Sequence, residues 1–93
     1  MATALTLYTR DGCHLCDETR RLLLALLDER RAAGLPTPEL MEQDIATDAA
    51  LERAYFATVP VVELGTERIE LATSVVRLRR LLRRLDDLPA VAD

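Results

Sequence analysis

Apolar and polar residues alternate at the start of the chain. In Ala4-Leu5-Thr6-Leu7-Tyr8, Leu5 and Leu7 fall on one face and Thr6 and Tyr8 on the other, the period of a buried strand. Arg10-Asp11-Gly12 breaks the pattern as a short loop, where glycine gives access to backbone geometry that other residues avoid. From Cys13 to about Ala33 the period lengthens to that of a helix. Leu15, Leu22 and Leu26 share one side, with Thr19, Leu23 and Leu27 next to them. Asp17 and Glu18 at its start and Arg30 and Arg31 at its end suit the helix dipole, and Gly34 with Pro36 beyond it closes the element.

Thr37–Asp44 sets Leu40, Glu42 and Asp44 against Met41 and Gln43, which predicts a second, more exposed strand. Continued loop is the alternative, because Glu and Asp suit strands poorly. Thr47 is the expected N-cap of a short helix from Asp48 to Tyr55 or Phe56, with Leu51, Ala54 and Tyr55 inward. Pro60–Leu64 reads as a strand opening on proline, where a missing N–H does least harm. Gly65-Thr66 is a tight turn, and Glu67–Leu71 returns as the hairpin partner. Thr73 or Ser74 caps a last helix to about Leu85, with Val75, Leu78, Leu81, Leu82 and Leu85 at helical spacing, and residues 86–93 are expected to form a flexible tail. The order β-α-β-α-β-β-α predicts one α/β domain over residues 1–93: a four-stranded mixed sheet with helices on both faces.

Composition narrows the class. The chain has 93 residues, 49% of them hydrophobic but only 3% aromatic, so one small domain with an aliphatic core is expected. No apolar run approaches the roughly 18 residues of a membrane span, and the first residues lack a basic segment before their short apolar run. A cytoplasmic protein is expected, in which a lone cysteine pair points to catalysis or metal rather than a structural bridge. The net charge of −4 does not suit a general nucleic-acid binder. Its distribution is uneven, since residues 73–85 hold five arginines and no acid, leaving −9 on the rest. Arg77, Arg79, Arg80, Arg83 and Arg84 are either the solvated face of an amphipathic helix or a docking site for an acidic partner.

The candidate chemistry sits where the first strand meets the first helix. Both cysteines of the chain are there, in Cys13-His14-Leu15-Cys16. Unpaired N–H groups and the dipole at a helix start favour a thiolate at Cys13. Cys16, one turn along, is close enough to close a small disulfide ring. Protonated His14 would add to that field, whereas the carboxylates of Asp17 and Glu18 oppose a second anion. Two buried thiols packing as small hydrophobes is the plain alternative. A zinc site needs two further Cys or His ligands, and His14 is the sole histidine, so no metal is expected within one chain.

The element order, Cys13-His14-Leu15-Cys16 and Thr58-Val59-Pro60 together resemble the thioredoxin-fold superfamily, and within it the glutaredoxin branch, from Ala4 to about Leu85. The lead-in from Leu7 to Asp17 is similar to that of small bacterial glutaredoxin-like proteins with a Cys-His-Leu-Cys motif. The resemblance implies that Cys13 is the nucleophile and Cys16 the resolving thiol. It makes Pro60 a cis-proline facing the disulfide, the Val59 backbone a pairing edge for an extended substrate, and Thr58 a flank of that groove. Arg10 stands where glutaredoxins carry a basic residue near the thiolate or the glutathione carboxylate.

The departures concern glutathione. The family's Gly-Gly after the hairpin is replaced by Glu70-Leu71, which would crowd and repel an anionic tripeptide. Thr73, Ser74 and the helix start behind them could still bind a carboxylate. The resemblance therefore implies a dithiol–disulfide oxidoreductase acting on protein disulfides or glutathione mixed disulfides. It would hold no bound cofactor and be reset by glutathione as co-substrate or by a thioredoxin-reductase-type system, and the small size and polar outer surface predict a monomer. The alternative is a redox-sensing or redox-inert module that holds peptides in the groove beside Pro60.

Overall fold

A computed structural model describes residues 3–87. Its sheet is built around β1 (Leu5–Thr9), which pairs in parallel with β2 (Leu40–Asp44) on one side and antiparallel with β3 (Val61–Leu64) on the other. β4 (Glu67–Ile69) adds to β3 through the Gly65-Thr66 turn, giving the order β2-β1-β3-β4. Three helices cover this sheet: α1 (His14–Ala32), α2 (Ala49–Tyr55) and α3 (Val75–Arg83), with 3-10 turns at Ile45–Thr47 and Arg84–Asp87. The α/β order and mixed four-stranded sheet are those predicted from the sequence.

Period-two alternation sorts the strands between two cores. Leu5, Leu7, Val62, Leu64 and Ile69 face one side and pack on Leu23, Leu26 and Leu27 of α1 and Leu78, Leu81 and Leu82 of α3. Leu23 and Leu78 are wholly buried, each worth roughly 1.5–3 kcal/mol relative to an exposed side chain. The other side is smaller: Val61 and Val59 meet Ile45, Tyr55 and Cys16, with Tyr8 and Leu51 at its margin.

Several local expectations are corrected. Leu15 and Val75 belong to the helical stripes by spacing but are exposed, because the buried positions in these first turns are Cys16 in α1 and Leu78 in α3, which turn Leu15 and Val75 towards solvent. Ala54 is exposed too, since α2 is short and buries only Tyr55 fully. Asp48, not Thr47, caps α2, its Oδ1 accepting from the Ala50 and Leu51 N–H groups at 2.8 and 3.3 Å. Thr47 closes the preceding 3-10 turn instead, donating to the Asp44 carbonyl at 2.7 Å. β2 starts at Leu40 rather than Thr37, and β4 ends at Ile69 rather than Leu71, where φ of +49° turns the chain out of the strand. The expected tail begins inside a 3-10 turn that runs to Asp87, and its remainder, residues 88–93, lies outside the described residues.

Candidate functional site

Topology collects the chemistry at one end. β1 and β2 are parallel, so both finish at the same end of the sheet, while β3 starts there and β4 finishes there. The β1–α1 junction, the loop from α2 into β3 and the loop from β4 into α3 therefore converge. These loops hold Cys13–Cys16, Thr58-Val59-Pro60 and Glu70–Ser74.

Gly12, at φ +73°, turns the chain out of β1 so that Cys13 becomes the N-cap of α1 in an extended conformation. The Cys13 Sγ accepts a hydrogen bond from the Cys16 backbone N–H at 3.1 Å. A free helix N–H thus points at the sulfur, the geometry that stabilises a thiolate there. Cys13 and Cys16 are joined by a disulfide with their Cα atoms 5.2 Å apart. The two sulfurs differ in access: Cys16 is 1% exposed within the smaller core, and Cys13 lies at its margin.

The charged neighbours are paired off. Asp17 accepts from Arg20 at 2.8 Å, and that hydrogen bond holds its carboxyl below the usual carboxylate range. Arg20 also forks onto both Glu42 oxygens, at 2.7–2.9 Å. His14 Nε2 lies 3.2 Å from a Glu18 oxygen on the outer face of α1. The opposition of Asp17 to a Cys13 thiolate is screened by its Arg20 partner. Arg10 is exposed in the loop before Gly12.

The Val59–Pro60 peptide is cis, and Pro60 is fully buried. The N–H groups of Thr58 and Val59 both donate to the Tyr55 carbonyl, at 2.9 and 3.1 Å. The Val59 amide is thus engaged within the chain, which leaves its carbonyl as the group available to an added strand. Behind this loop the Leu71 and Ala72 N–H groups donate to the Thr58 and Pro60 carbonyls at 2.9 and 2.8 Å. The Ala72 carbonyl in turn accepts from Thr19 Oγ1 of α1 at 2.7 Å. Thr58 Oγ1 is buried without a hydrogen-bond partner among the described residues.

Thr73 and Ser74 have unequal standing. Ser74 is the N-cap of α3, its Oγ accepting from the Arg77 N–H at 3.2 Å, while Thr73 is exposed beside it. Glu70 and Leu71 stand exposed at the same end, and so do Leu15 and Phe56. Thr19 is a member of this site that the sequence shows only as part of the α1 stripe. Its only sequence signal is a hydroxyl one turn after Cys16 on an apolar face. No group of three or more His, Cys, Asp or Glu among the described residues could hold a metal ion, and no described helix is long and apolar enough to cross a membrane.

A cysteine pair at a helix start, sharing a core cluster with the residue before a cis-proline, is the arrangement of the thioredoxin-like class. Residues 4–86 match the family model described as Glutaredoxin-like domain (DUF836), and the chain belongs to this family. It is similar to the crystal structure of target protein XcR50 from X. campestris, with 36% identity, a TM-score of 0.67, and coverage of 92% of this chain and 100% of that one. The solution structure of the same target gives 36% identity, a TM-score of 0.65, and coverage of 92% and 96%. The solution structure of protein Ne2328 from Nitrosomonas europaea is 31% identical at a TM-score of 0.58, with 75% of each chain covered. No curated protein matches the chain.

Proposed function

We propose that the protein is a thiol–disulfide oxidoreductase that reduces protein disulfides. The Cys13 thiolate attacks one sulfur of the substrate disulfide, forming a Cys13–substrate bond and releasing the other substrate sulfur, which takes up a proton. Cys16 then loses its proton and attacks the Cys13 sulfur. The Cys13–Cys16 bond forms, the second substrate thiol leaves, and two electrons have passed from protein to substrate. Glutathione or a thioredoxin-reductase-type system, acting from solution, returns the dithiol.

The observation that carries this reading is the unequal exposure of two bonded sulfurs at a helix start. The reachable Cys13 suits attack on a large substrate, and the buried Cys16 suits a resolving role. A protein disulfide is favoured over a glutathione adduct by the exposed Leu15, Phe56 and Leu71 at this end, by the Glu70 carboxylate, and by Ser74 being committed to capping α3. The same surface disfavours a purely peptide-holding module, because the Val59 N–H it would use already donates to Tyr55.

The test is trapping. Reduced protein carrying Cys16→Ala, mixed with a disulfide-bonded substrate protein, should accumulate a mixed disulfide on Cys13 that intact-mass spectrometry detects. The unsubstituted protein should turn over instead. Full reductase activity in a Cys13→Ser protein would end the proposal.

A further inference from the structure

The sheet ends at β4, and beyond β4 lies a groove of about 470 Å³ walled by α3. Ile69 and Leu81 contribute apolar lining, and Arg77, Arg80 and Arg84 present guanidinium groups along the helix side. On the strand side, Arg68 donates to the Tyr55 hydroxyl at 2.8 Å, and Glu67 lies 2.6 Å from Arg84. Arg77 and Arg80 have no carboxylate partner among the described residues. Arg79 points elsewhere, to Glu29. The arginines of α3 and the turn that follows it thus divide. Three line a groove at an open strand edge, and in it the chain's own Glu67 already shows how a carboxylate is taken.

We infer that the groove between β4 and α3 docks an acidic, extended segment of a partner protein, with carboxylates at alternate positions meeting Arg77, Arg80 and Arg84. Spacing and charge select this occupant. Alternate residues of a strand lie roughly 6.6–6.8 Å apart, and the rise along the helix is roughly 4.5 Å from Arg77 to Arg80 and roughly 6 Å from Arg80 to Arg84, differences that long arginine side chains span. The open edge of β4 supplies backbone groups for strand addition. A second copy joined β4 to β4 would bring two arginine rows face to face, and like charges oppose that. A long polyanion would meet the −9 carried outside residues 73–85. Only in naming the docked segment as part of a disulfide-bearing substrate does the inference rest on the proposed activity. Ser74 caps α3 beside the loop that braces Pro60, so a segment lying along Arg77 leads away from the cysteine end.

A cysteine-free probe separates docking from redox chemistry: a fluorescein-labelled peptide of four Glu-Thr repeats, followed by anisotropy and by amide chemical shifts. Saturable binding is expected, with shifts centred on Glu67–Ile69 and Arg77–Arg84. It should weaken at least about fivefold in an Arg77→Gln, Arg80→Gln double variant and fall with added salt. The corresponding Gln-Thr peptide should not bind. Equal affinity for the double variant, shifts confined to the cysteine end, no binding at millimolar peptide, or tighter binding of a single-stranded RNA of the same length would each overturn the inference. Loss of reductase activity with peptide binding intact would count against the proposed activity alone.

Discussion

Thr19 and Ala72, 53 residues apart, are joined by a buried hydrogen bond of 2.7 Å from the threonine hydroxyl to the alanine carbonyl. Ala72 is also bonded through its N–H to Pro60, so one residue links the helix that presents the cysteines to the cis-proline loop facing them. Both halves of the site are held in register by a contact that carries no charge and touches no substrate.

Removing that hydroxyl while keeping the shape isolates the contact. Thr19→Val should destabilise the protein by about 1–3 kcal/mol, because the Ala72 carbonyl is left buried without its partner. Thr19→Ser keeps the hydroxyl and should lose less. Urea unfolding of the two variants checks this. A loss seen in Thr19→Ser but not in Thr19→Val would assign the effect to packing of the methyl group instead.

The thiol of Cys13 should titrate below the roughly 8.5 of an unperturbed cysteine, since a helix N–H points at its sulfur. The neighbouring charges set the direction of further change. Arg20 screens Asp17, so Arg20→Gln should raise the Cys13 pKa by exposing it to a bare carboxylate, and Asp17→Asn should lower it. The measurement is the pH dependence of alkylation in reduced protein carrying Cys16→Ala. Identical midpoints in all three proteins would show that the Asp17–Arg20 pair does not act on the thiol.

How far the sequence carries is clear from particular residues. Leu5, Leu7, Val62, Leu78 and Leu82 are legible because one period and one buried face determine each of them. The cysteine pair is legible because its chemistry depends on local spacing. Thr19 is not, since its partner is brought to it only by the tertiary fold. Arg30 hides for the same reason: by sequence it is a dipole-matching residue of a last helical turn. In the structure it is 7% exposed, donating to the Pro36 carbonyl at 2.8 Å and paired with Asp86. Leu15 and Val75 mislead in the opposite direction, because each fits the helical period while a neighbour in the same turn, Cys16 or Leu78, takes the buried place.

Leu71 occupies a left-handed backbone conformation, φ +49°, at a position where the resembled family carries glycine. A non-glycine residue there costs roughly 1–2 kcal/mol, partly offset by the greater freedom glycine gains on unfolding. Its side chain is exposed, so little packing is lost with it. Leu71→Gly is expected to stabilise the protein by about 0.5–1 kcal/mol, read from urea midpoints. Combined with Glu70→Gly, it should also raise the rate at which the protein reduces a glutathione mixed disulfide relative to a protein disulfide. An unchanged ratio would mean that these two side chains do not exclude glutathione.

Tyr8 offers a spectroscopic test of the sheet face under α2. Its hydroxyl donates to Glu63 at 3.0 Å and its ring meets Tyr55 at 5.1 Å, itself within 5.6 Å of the Arg68 guanidinium. Burial first, then the hydrogen bond to Glu63 and its charge, raises the Tyr8 pKa above 10.0. Folding therefore favours the neutral phenol: its stabilisation is complete below the unfolded pKa and is lost as pH rises through the folded one. Since the chain has only two tyrosines, a Tyr55→Phe background leaves Tyr8 as the sole chromophore that ionises near 295 nm. Adding Glu63→Gln should move its midpoint down towards the ordinary value, because the carboxylate that both accepted its proton and repelled its anion is gone. A midpoint that stayed in place would leave burial alone as the cause and would show that the Glu63 hydrogen bond is not held in solution.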